Sequence, residues 1–212
     1  LVRQVTAGLA QYLLKTASDA AGQGMVIGFD GRHGSREFAA DTAVVLADHG
    51  IASQIFDDVV PTPRLSHAVV YTGACAGVMV TASHNPPEYN GYKVYAHNGA
   101  QIVPPWDGEI AGQIEQAPAT KDVARLSLAE ASEQGKLETF GEALDELYLA
   151  DVAGAGQRRA PRGPRRALAR LYAHARRGAA PARPGAEARR LHQPARGRRA
   201  GRARRRVPDL AL

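Results

Sequence analysis

Strand-length apolar runs alternate with segments of helical periodicity along the first part of the chain, and this alternation constrains the fold more than any other feature. Met25–Phe29 and Ala76–Val80 are continuous apolar runs of five residues, which is typical of strands buried on both faces. Leu1–Ala17 instead places apolar residues at three- and four-residue steps, as in a helix that buries one face. Because doubly buried strands need helices on both sides, the chain is predicted to form a layered α/β fold.

The same reasoning assigns the remaining elements. Ser35 is predicted to cap a helix that Gly50 ends in a left-handed conformation, and residues 118–135 are expected to form a looser connection. The predicted helices span 1–17, 36–49, 64–71, 107–116 and 139–152, and the predicted strands span 25–29, 51–56, 76–80 and 92–95. In such sheets functional groups collect on loops at the carboxyl ends of the strands. Three polar loops qualify: 30–35, 59–63 and 81–91.

The third of these loops carries the densest set of reactive side chains. Thr81–Lys93 reads Thr-Ala-Ser-His-Asn-Pro-Pro-Glu-Tyr-Asn-Gly-Tyr-Lys and directly follows a predicted buried strand. The two prolines fix their own φ angles and Pro86 restricts Asn85, so the segment is held open and non-helical with Ser83 presented. Composition alone favours an ordinary polar turn, in which Ser and Asn bond to nearby backbone groups.

This loop resembles the phosphoserine loop of the α-D-phosphohexomutases, through Thr-Ala-Ser-His-Asn-Pro followed by Asn-Gly-Tyr-Lys. Gly28-Phe-Asp-Gly-Arg32, Pro61-Thr-Pro63 and Gly77-Val-Met-Val80 support the resemblance in order, and together they cover residues 1 to about 150. Residues 88–95 and 101–104 look closest to the phosphoglucomutase and phosphopentomutase branch. The resemblance implies a three-layer α/β/α sandwich with a central mixed sheet, which is the first domain of the family.

The resemblance also implies an activity. Ser83 is expected to carry a phosphoryl group that moves between C1 and C6 of a hexose, through a sugar bisphosphate, as in phosphoglucomutases and phosphomannomutases. In the family, Mg²⁺ binds the serine phosphate and three Asp residues of the second domain, so Ser83 is the metal-side residue here and the Asp ligands are absent from this chain. A hexose 1,6-bisphosphate is the expected activator, and a sugar phosphate is the expected partner.

Four further residues are predicted to belong to the site, each with a structural alternative. Lys93 resembles the family lysine that assists proton transfer, against an ordinary solvated lysine. His84 suits acid/base work or hydrogen bonding to phosphate, against a histidine that organises the loop. Asn85 and Arg32 are candidate phosphate contacts. Asn85 is better suited to shaping the turn, and Arg32 can instead pair with Asp30.

Several family elements are not found in this sequence. No Gly-Leu-Arg-Gly loop precedes the first helix, so residues 1–152 are interpreted as the phosphoserine domain without its extreme N-terminus. No Asp-x-Asp-x-Asp metal loop, Glu-containing sugar loop or Arg-x-Ser-Gly phosphate clamp occurs after residue 100. A first domain alone could hold the serine without building the closed site, so we expect no significant mutase activity from this chain by itself.

Residues 153–212 form a tail of different composition. From residue 157 onward it contains 18 Arg, no Lys and two acids, a charge of +16, whereas the whole chain carries +6 and the rest therefore −10. Such a segment is expected to be disordered. One interpretation is a nucleic-acid-binding tail that contacts phosphates, although it lacks Lys and a stacking platform. The other is a shifted reading frame in a GC-rich gene, which yields Arg, Ala, Gly and Pro.

The cellular setting is predicted from two absences in the sequence. The single Cys75 can form no internal disulfide, and the longest apolar runs have strand length, far short of the roughly 18 residues of a membrane span. Residues 1–15 do not have the pattern of a signal peptide. We expect a cytoplasmic protein without a membrane partner.

The frameshift interpretation predicts what the encoding DNA contains. One codon choice for Leu171–Gly178 reads Ser-Thr-Pro-Thr-His-Gly-Val after a one-base shift, which resembles the start of the family's second domain. Resequencing from codon 145 and translating all three frames should therefore reveal an Asp-x-Asp-x-Asp loop in another frame. If no frame encodes such a loop, the basic tail is genuine, and salt-dependent binding to any DNA becomes the next measurement.

Overall fold

A computed structural model describes residues 1–140 and 143–159. No helix in these two stretches is long and apolar enough to cross a membrane. The predicted disorder and nucleic-acid binding of the basic tail fall almost entirely on residues outside the described ones.

The helices are α1 Val2–Thr16, α2 Ala20–Gln23, α3 Ser35–Asp48, α4 Thr62–Thr72, α5 Trp106–Gln116, α6 Leu128–Glu133 and α7 Ala143–Arg159. The strands are β1 Met25–Phe29, β2 Ser53–Phe56, β3 Ala76–Val80, β4 Tyr92–Ala96 and β5 Leu137–Phe140.

The strands form one mixed sheet in the order β4-β3-β1-β2-β5. β1 pairs in parallel with β2 and β3, β2 pairs in parallel with β5, and β4 runs antiparallel to β3. Every residue of β1 and β3 is buried, as their continuous apolar sequences predict. The predicted α/β fold with a central mixed sheet is confirmed.

The two faces of the sheet bury separate cores. Ile27 and Val78 point to the face covered by α1, α3 and α5, where they pack with residues such as Leu9 and Leu46. Val26 and Met79 belong to the other core, which also contains residues of α4, β5 and α7. Neighbouring strand residues thus enter opposite cores, because side chains alternate along a strand.

The sequence-based prediction fails at residues 139–140. A helix over 139–152 was predicted, but Leu137–Phe140 forms the edge strand β5 and the helix begins only at Ala143. Phe140 packs against Phe56 of β2 with ring centroids 4.8 Å apart. The aromatic and β-branched residues at 139–140 favour a strand once β2 offers a partner.

Two short helices were also missed. The connection 118–135 contains α6, whose start is a capping box formed by Ser127 and Glu130. The Glu130 side chain accepts a hydrogen bond from the backbone of Ser127, and this bond lowers the pKa of that carboxyl. The other missed helix, α2, begins at an Asp19 cap.

The predicted capping role of Ser35 is wrong. Ser35 is the first residue of α3, and Gly34 occupies the cap position with a φ of 75°. The Ser35 hydroxyl instead donates to the backbone carbonyls of Asp30 and Arg32. It therefore closes the loop after β1 on itself. The predicted left-handed Gly50, with a φ of 81°, is confirmed.

Polar contacts attach α7 to α4 on the outer face. Arg64, only 3% exposed, forms a salt bridge with Asp145 and stacks its guanidinium over Phe56 at 4.6 Å from the ring centroid. His67 lies 2.8 Å from the Asp151 carboxylate. The helix continues to Arg159, seven residues past the predicted domain boundary at 152; that boundary stays a prediction.

The crossing of α1 and α5 yields a test of the packing. A Cβ added at Gly8 would lie 2.5 Å from Cα of Ile114, whereas a Cβ at Gly112 meets nothing within 4 Å. Gly8→Ala should therefore push the helices apart and lower the free energy of unfolding by about 1–3 kcal/mol. Gly112→Ala should raise it by about 0.5–1 kcal/mol through lower chain entropy. Urea denaturation of both variants measures the difference; equal effects would contradict the close crossing.

Candidate active site at the carboxyl edge of the sheet

The loops after β1 and β3 lie side by side at the carboxyl edge of the sheet. The amide of His33 donates to the carbonyl of Pro87 at 3.1 Å, and the side-chain amide of Asn90 donates to the carbonyl of His33 at 2.7 Å. The loop after β2 joins through the amide of Val60, which donates to the carbonyl of Phe29 at 2.9 Å. The three loops predicted from sequence thus meet at one edge.

Ser83 stands out in this cluster by its backbone. Its φ of 59° makes it the one non-glycine residue with a positive φ among residues 1–140 and 143–159. Its amide donates to Oγ1 of Thr81 at 3.0 Å, and its carbonyl accepts from Nη2 of Arg32 at 2.6 Å. The residue is exposed, and its Oγ lies 3.4 Å from Nδ1 of His84. Side chains hold the backbone of Ser83 on both sides while the residue itself remains open to solvent.

Arg32 contacts the β3 loop through backbone carbonyls. Nη1 donates to the carbonyls of Asn85, Pro86 and Tyr89 at 2.9, 2.7 and 3.1 Å, and Nη2 donates to that of Ser83. The Arg32 side chain is only 8% exposed. This geometry favours the structural alternative for Arg32, and a contact with phosphate stays a prediction.

The carboxylate of Asp30 joins the two loops. Its Oδ2 accepts from Nε of Arg32 at 2.8 Å and from Oγ1 of Thr81 at 2.6 Å. The buried guanidinium is thus paired with an opposite charge, which buried ionic groups require. Sequence reasoning proposed the pairing of Asp30 with Arg32 but missed Thr81. The sequence did contain a signal for this role of Thr81: a hydroxyl two residues before Ser83 is placed to bond to the backbone of a turn.

Asn85 contributes to the turn through its backbone. Its amide donates to the carbonyl of Ala82 at 3.1 Å, and its carbonyl accepts from Arg32. The base of the loop closes where the amide of Thr81 donates to the carbonyl of Gly91 at 3.0 Å. A Cβ at Gly91 would lie 2.7 Å from the carbonyl oxygen of Thr81, so the close approach requires glycine.

Lys93 lies at the start of β4, opposite Met79 in the register. Val94 enters the core on the face covered by α1, and Tyr95 enters the core on the α4 face. Because side chains alternate along a strand, Lys93 lies on the same face as Tyr95, the α4 face. It is partly exposed, and its side chain makes no hydrogen bond or ion pair within the part of the chain that the structure describes. The positions of Lys93 and His84 are compatible with their predicted roles, which stay predictions.

The described residues do not by themselves form the magnesium site that the resemblance implies. Within residues 1–140 and 143–159, no three His, Cys, Asp or Glu side chains are grouped so that they could hold a metal ion. Asp30 is the carboxylate that the Thr81 hydroxyl links to the Ser83 amide, and it is already bonded to Arg32 and Thr81. These residues therefore supply no metal-dependent step by themselves.

Comparison with known proteins identifies the family. The model of phosphoglucomutase/phosphomannomutase, alpha/beta/alpha domain I, matches residues 1–121, which is more than half of the 212 residues. The chain belongs to the phosphoglucomutase/phosphomannomutase family. The predicted resemblance to the α-D-phosphohexomutases is confirmed.

Relatives in this family carry several mutase names. The chain is 50% identical over 123 residues to a probable phosphoribomutase of Schizosaccharomyces pombe, covering 57% of this chain and 21% of that protein. It is 37% identical over 151 residues to a phosphoglucomutase of Staphylococcus saprophyticus, covering 71% and 27%. It is 44% identical over 119 residues to the human phosphopentomutase, covering 53% and 19%. The chain thus spans about a fifth to a quarter of the length of these family members.

Solved structures of the family show the same fold. A putative phosphomannomutase of Thermus thermophilus matches with a TM-score of 0.59 and 28% identity, over 73% of this chain and 31% of that chain. A family protein from Burkholderia thailandensis matches with a TM-score of 0.53 and 23% identity, over 72% and 31%. The α/β architecture is therefore that of a phosphoglucomutase/phosphomannomutase domain.

The start of β4 offers a pH-dependent test of the packing of Tyr92. The hydroxyl of Tyr92, the neighbouring residue, lies 3.0 Å from Oγ1 of Thr6, and burial raises the pKa of Tyr92 to about 12. In the unfolded chain this pKa is about 10, so the folded state resists ionisation. The contribution of the un-ionised Tyr92 hydroxyl to the stability of the folded state is complete below pH 10 and is lost as the pH rises towards 12.

We therefore expect Tyr92→Phe to lose less stability than the parent chain between pH 10 and 12. Thermal melts at intervals across that range measure it. Burial also raises the pKa of Cys75, to about 11, but this thiol is present in both proteins, so the difference between them reports Tyr92. Parallel loss of stability in both would mean that the Tyr92 hydroxyl is not buried.

Proposed function

We propose that this chain is the phosphoserine-bearing domain of a hexose-phosphate mutase, with Ser83 as the phosphoryl carrier. The observation that carries the proposal is the geometry of Ser83. It is exposed at the carboxyl edge of the sheet of a phosphoglucomutase/phosphomannomutase family domain, with its backbone amide and carbonyl both bonded to side chains. Phosphoryl transfer depends mainly on positioning and charge stabilisation, and a rigid, exposed carrier provides the positioning.

The proposed reaction has two transfers. In the first, a free hydroxyl of the sugar monophosphate attacks the phosphorus on Ser83; the bond from phosphorus to Oγ breaks, a new O–P bond forms, and the proton of the sugar hydroxyl is transferred to the departing Oγ. The product is a sugar bisphosphate. After the bisphosphate turns over in the site, Oγ of Ser83 attacks its other phosphate. The bond from that phosphorus to the sugar oxygen breaks, the sugar oxygen takes up the proton that Oγ gives up, and the isomeric monophosphate leaves with the phosphoserine restored.

Two side chains, those of Lys93 and His84, are proposed to move protons or stabilise charge in these steps. Lys93 assists the proton transfer with the sugar hydroxyl, and His84 hydrogen-bonds the phosphate or exchanges a proton with it. A phosphoserine carries about −1.5 to −2 charges at neutral pH, so an ammonium beside the carrier stabilises it. The backbone of Asn85 shapes the turn that presents Ser83.

The proposed activity is that of proteins as long as the relatives described above, of which this chain spans about a fifth to a quarter. The conversion of glucose 1-phosphate to glucose 6-phosphate is the type of reaction we propose, and mannose and pentose phosphates are the alternative substrates. Mg²⁺, when bound, would neutralise phosphate charge. A hexose 1,6-bisphosphate would act as activator, and the lone cysteine supports a cytoplasmic location.

Phosphorylation of Ser83 tests the proposal directly. The full chain incubated with glucose 1,6-bisphosphate and Mg²⁺ should gain one phosphoryl group, seen as a mass increase that peptide mapping places on Ser83. Ser83→Ala should gain none. Ser132→Ala removes an exposed helical serine far along the chain, and it should be labelled like the parent.

The outcomes separate the alternatives. Binding of the bisphosphate without any labelling would favour a sugar-phosphate-binding module that does not transfer phosphate. Labelling that persists in Ser83→Ala would place the carrier elsewhere. We expect labelling of Ser83 without significant mutase turnover from this chain alone.

A further inference from the structure

We infer that Asp30, Arg32 and Thr81 form a closed ring of hydrogen bonds around the backbone of Ser83 and act as positioning residues for phosphoryl transfer. The inference rests on the proposed function for its catalytic meaning. The ring itself is a property of the structure, and it favours the structural alternative for Arg32 over the phosphate contact that the sequence also allowed.

The ring closes through one carboxylate oxygen. Oδ2 of Asp30 accepts from Oγ1 of Thr81, and that hydroxyl oxygen in turn accepts from the amide of Ser83. On the other side, Oδ2 accepts from Nε of Arg32, whose Nη2 donates to the carbonyl of Ser83. Each atom acts in a permitted sense: the hydroxyl donates once and accepts once, and the guanidinium only donates.

The ring explains how Ser83 keeps an unfavourable backbone conformation. Ser83 has a φ of 59°, which is uncommon for a residue with a Cβ. Such a conformation persists only where the surrounding structure determines it. Here the peptide groups on both sides of the Ser83 Cα are bonded to one rigid unit. The direction of the Cα–Cβ bond follows from the ring, which confines Oγ to the few staggered positions about that bond.

The chemistry of Arg32 matches positioning better than substrate binding. Its planar fork reaches Asp30 and four carbonyls of the β3 loop, a set that the three donors of a lysine cannot reproduce. Its charge is compensated by Asp30 at 2.8 Å. The side chain is 8% exposed and points its donors into the protein backbone, so loss of Arg32 should displace Ser83 rather than remove an anchor for phosphate.

Thr81 offers the sharpest pair of variants. Thr81→Ser keeps the hydroxyl that links Asp30 to the Ser83 amide, and Thr81→Val removes it with little change of shape. In the full chain labelled by glucose 1,6-bisphosphate, Thr81→Val should lower the maximal rate of Ser83 phosphorylation about 10- to 100-fold, the scale of a misplaced reacting group. The half-saturating concentration of bisphosphate should stay unchanged, and Thr81→Ser should retain the rate within about threefold.

Arg32 is tested in the same assay. Arg32→Lys and Arg32→Ala should both lower the maximal rate without raising the half-saturating concentration, and added methylguanidine should partly restore Arg32→Ala. Glu88→Gln, an exposed change in the same loop, should match the parent. A raised half-saturating concentration with an unchanged maximal rate would overturn the inference and make Arg32 a phosphate ligand.

Amide hydrogen exchange tests the ring independently of any phosphorylation. The Ser83 amide should exchange slowly although the residue is exposed, both in the parent and in Thr81→Ser. In Thr81→Val it should exchange at least about tenfold faster, since its acceptor is gone. Equal exchange in the two variants would overturn the ring. Failure of the parent to become phosphorylated, with this exchange pattern intact, would count against the proposed function and leave the ring supported.

Discussion

The parallel pairing of β1 with β3 is the constraint on which the candidate site depends. Five register pairs run from Met25 opposite Ala76 to Phe29 opposite Val80, and the amide of Asp30 extends the contact to the carbonyl of Val80 at 3.2 Å. Parallel strands bring their following loops to the same edge. Asp30 and Thr81 can therefore share a hydrogen bond although 51 residues separate them in sequence.

Close packing against the sheet fixes that edge from the α4 side. A Cβ at Gly28 would lie within 2.9 Å of Val60 and Leu65, and one at Gly77 would lie 2.4 Å from Val69. Glycines in two central strands thus let the loop after β2 and helix α4 rest directly on the sheet. The buried core holds the strands in place, and the strands hold the loops, so the site inherits its rigidity from apolar packing.

The parts of the fold that sequence predicted are those determined by local pattern. Continuous apolar runs identified β1 and β3, and helical periodicity identified α1. The edge strand Leu137–Phe140 escaped because Glu138 and Thr139 are exposed and its pairing with β2 is a distant contact. The role of Ser35 was misjudged for the same reason: its hydroxyl bonds to the preceding loop, whose shape only the folded structure defines. The motif residues of the site were found, but the link from Asp30 to Thr81 follows from strand register, which no local pattern encodes.

Charge separates what this domain can do from what the reaction requires. Within the described residues, Arg32 is paired with Asp30, so it leaves little positive potential for a phosphate on Ser83. Lys93 is a cationic side chain predicted near the carrier, and a phosphoserine together with a phosphorylated sugar brings about three to four negative charges at neutral pH. Such a charge excess needs further cations for efficient turnover. The ring positions the carrier with a neutral pair, so that neutralisation of the phosphates is left to groups that approach Ser83 from its exposed side.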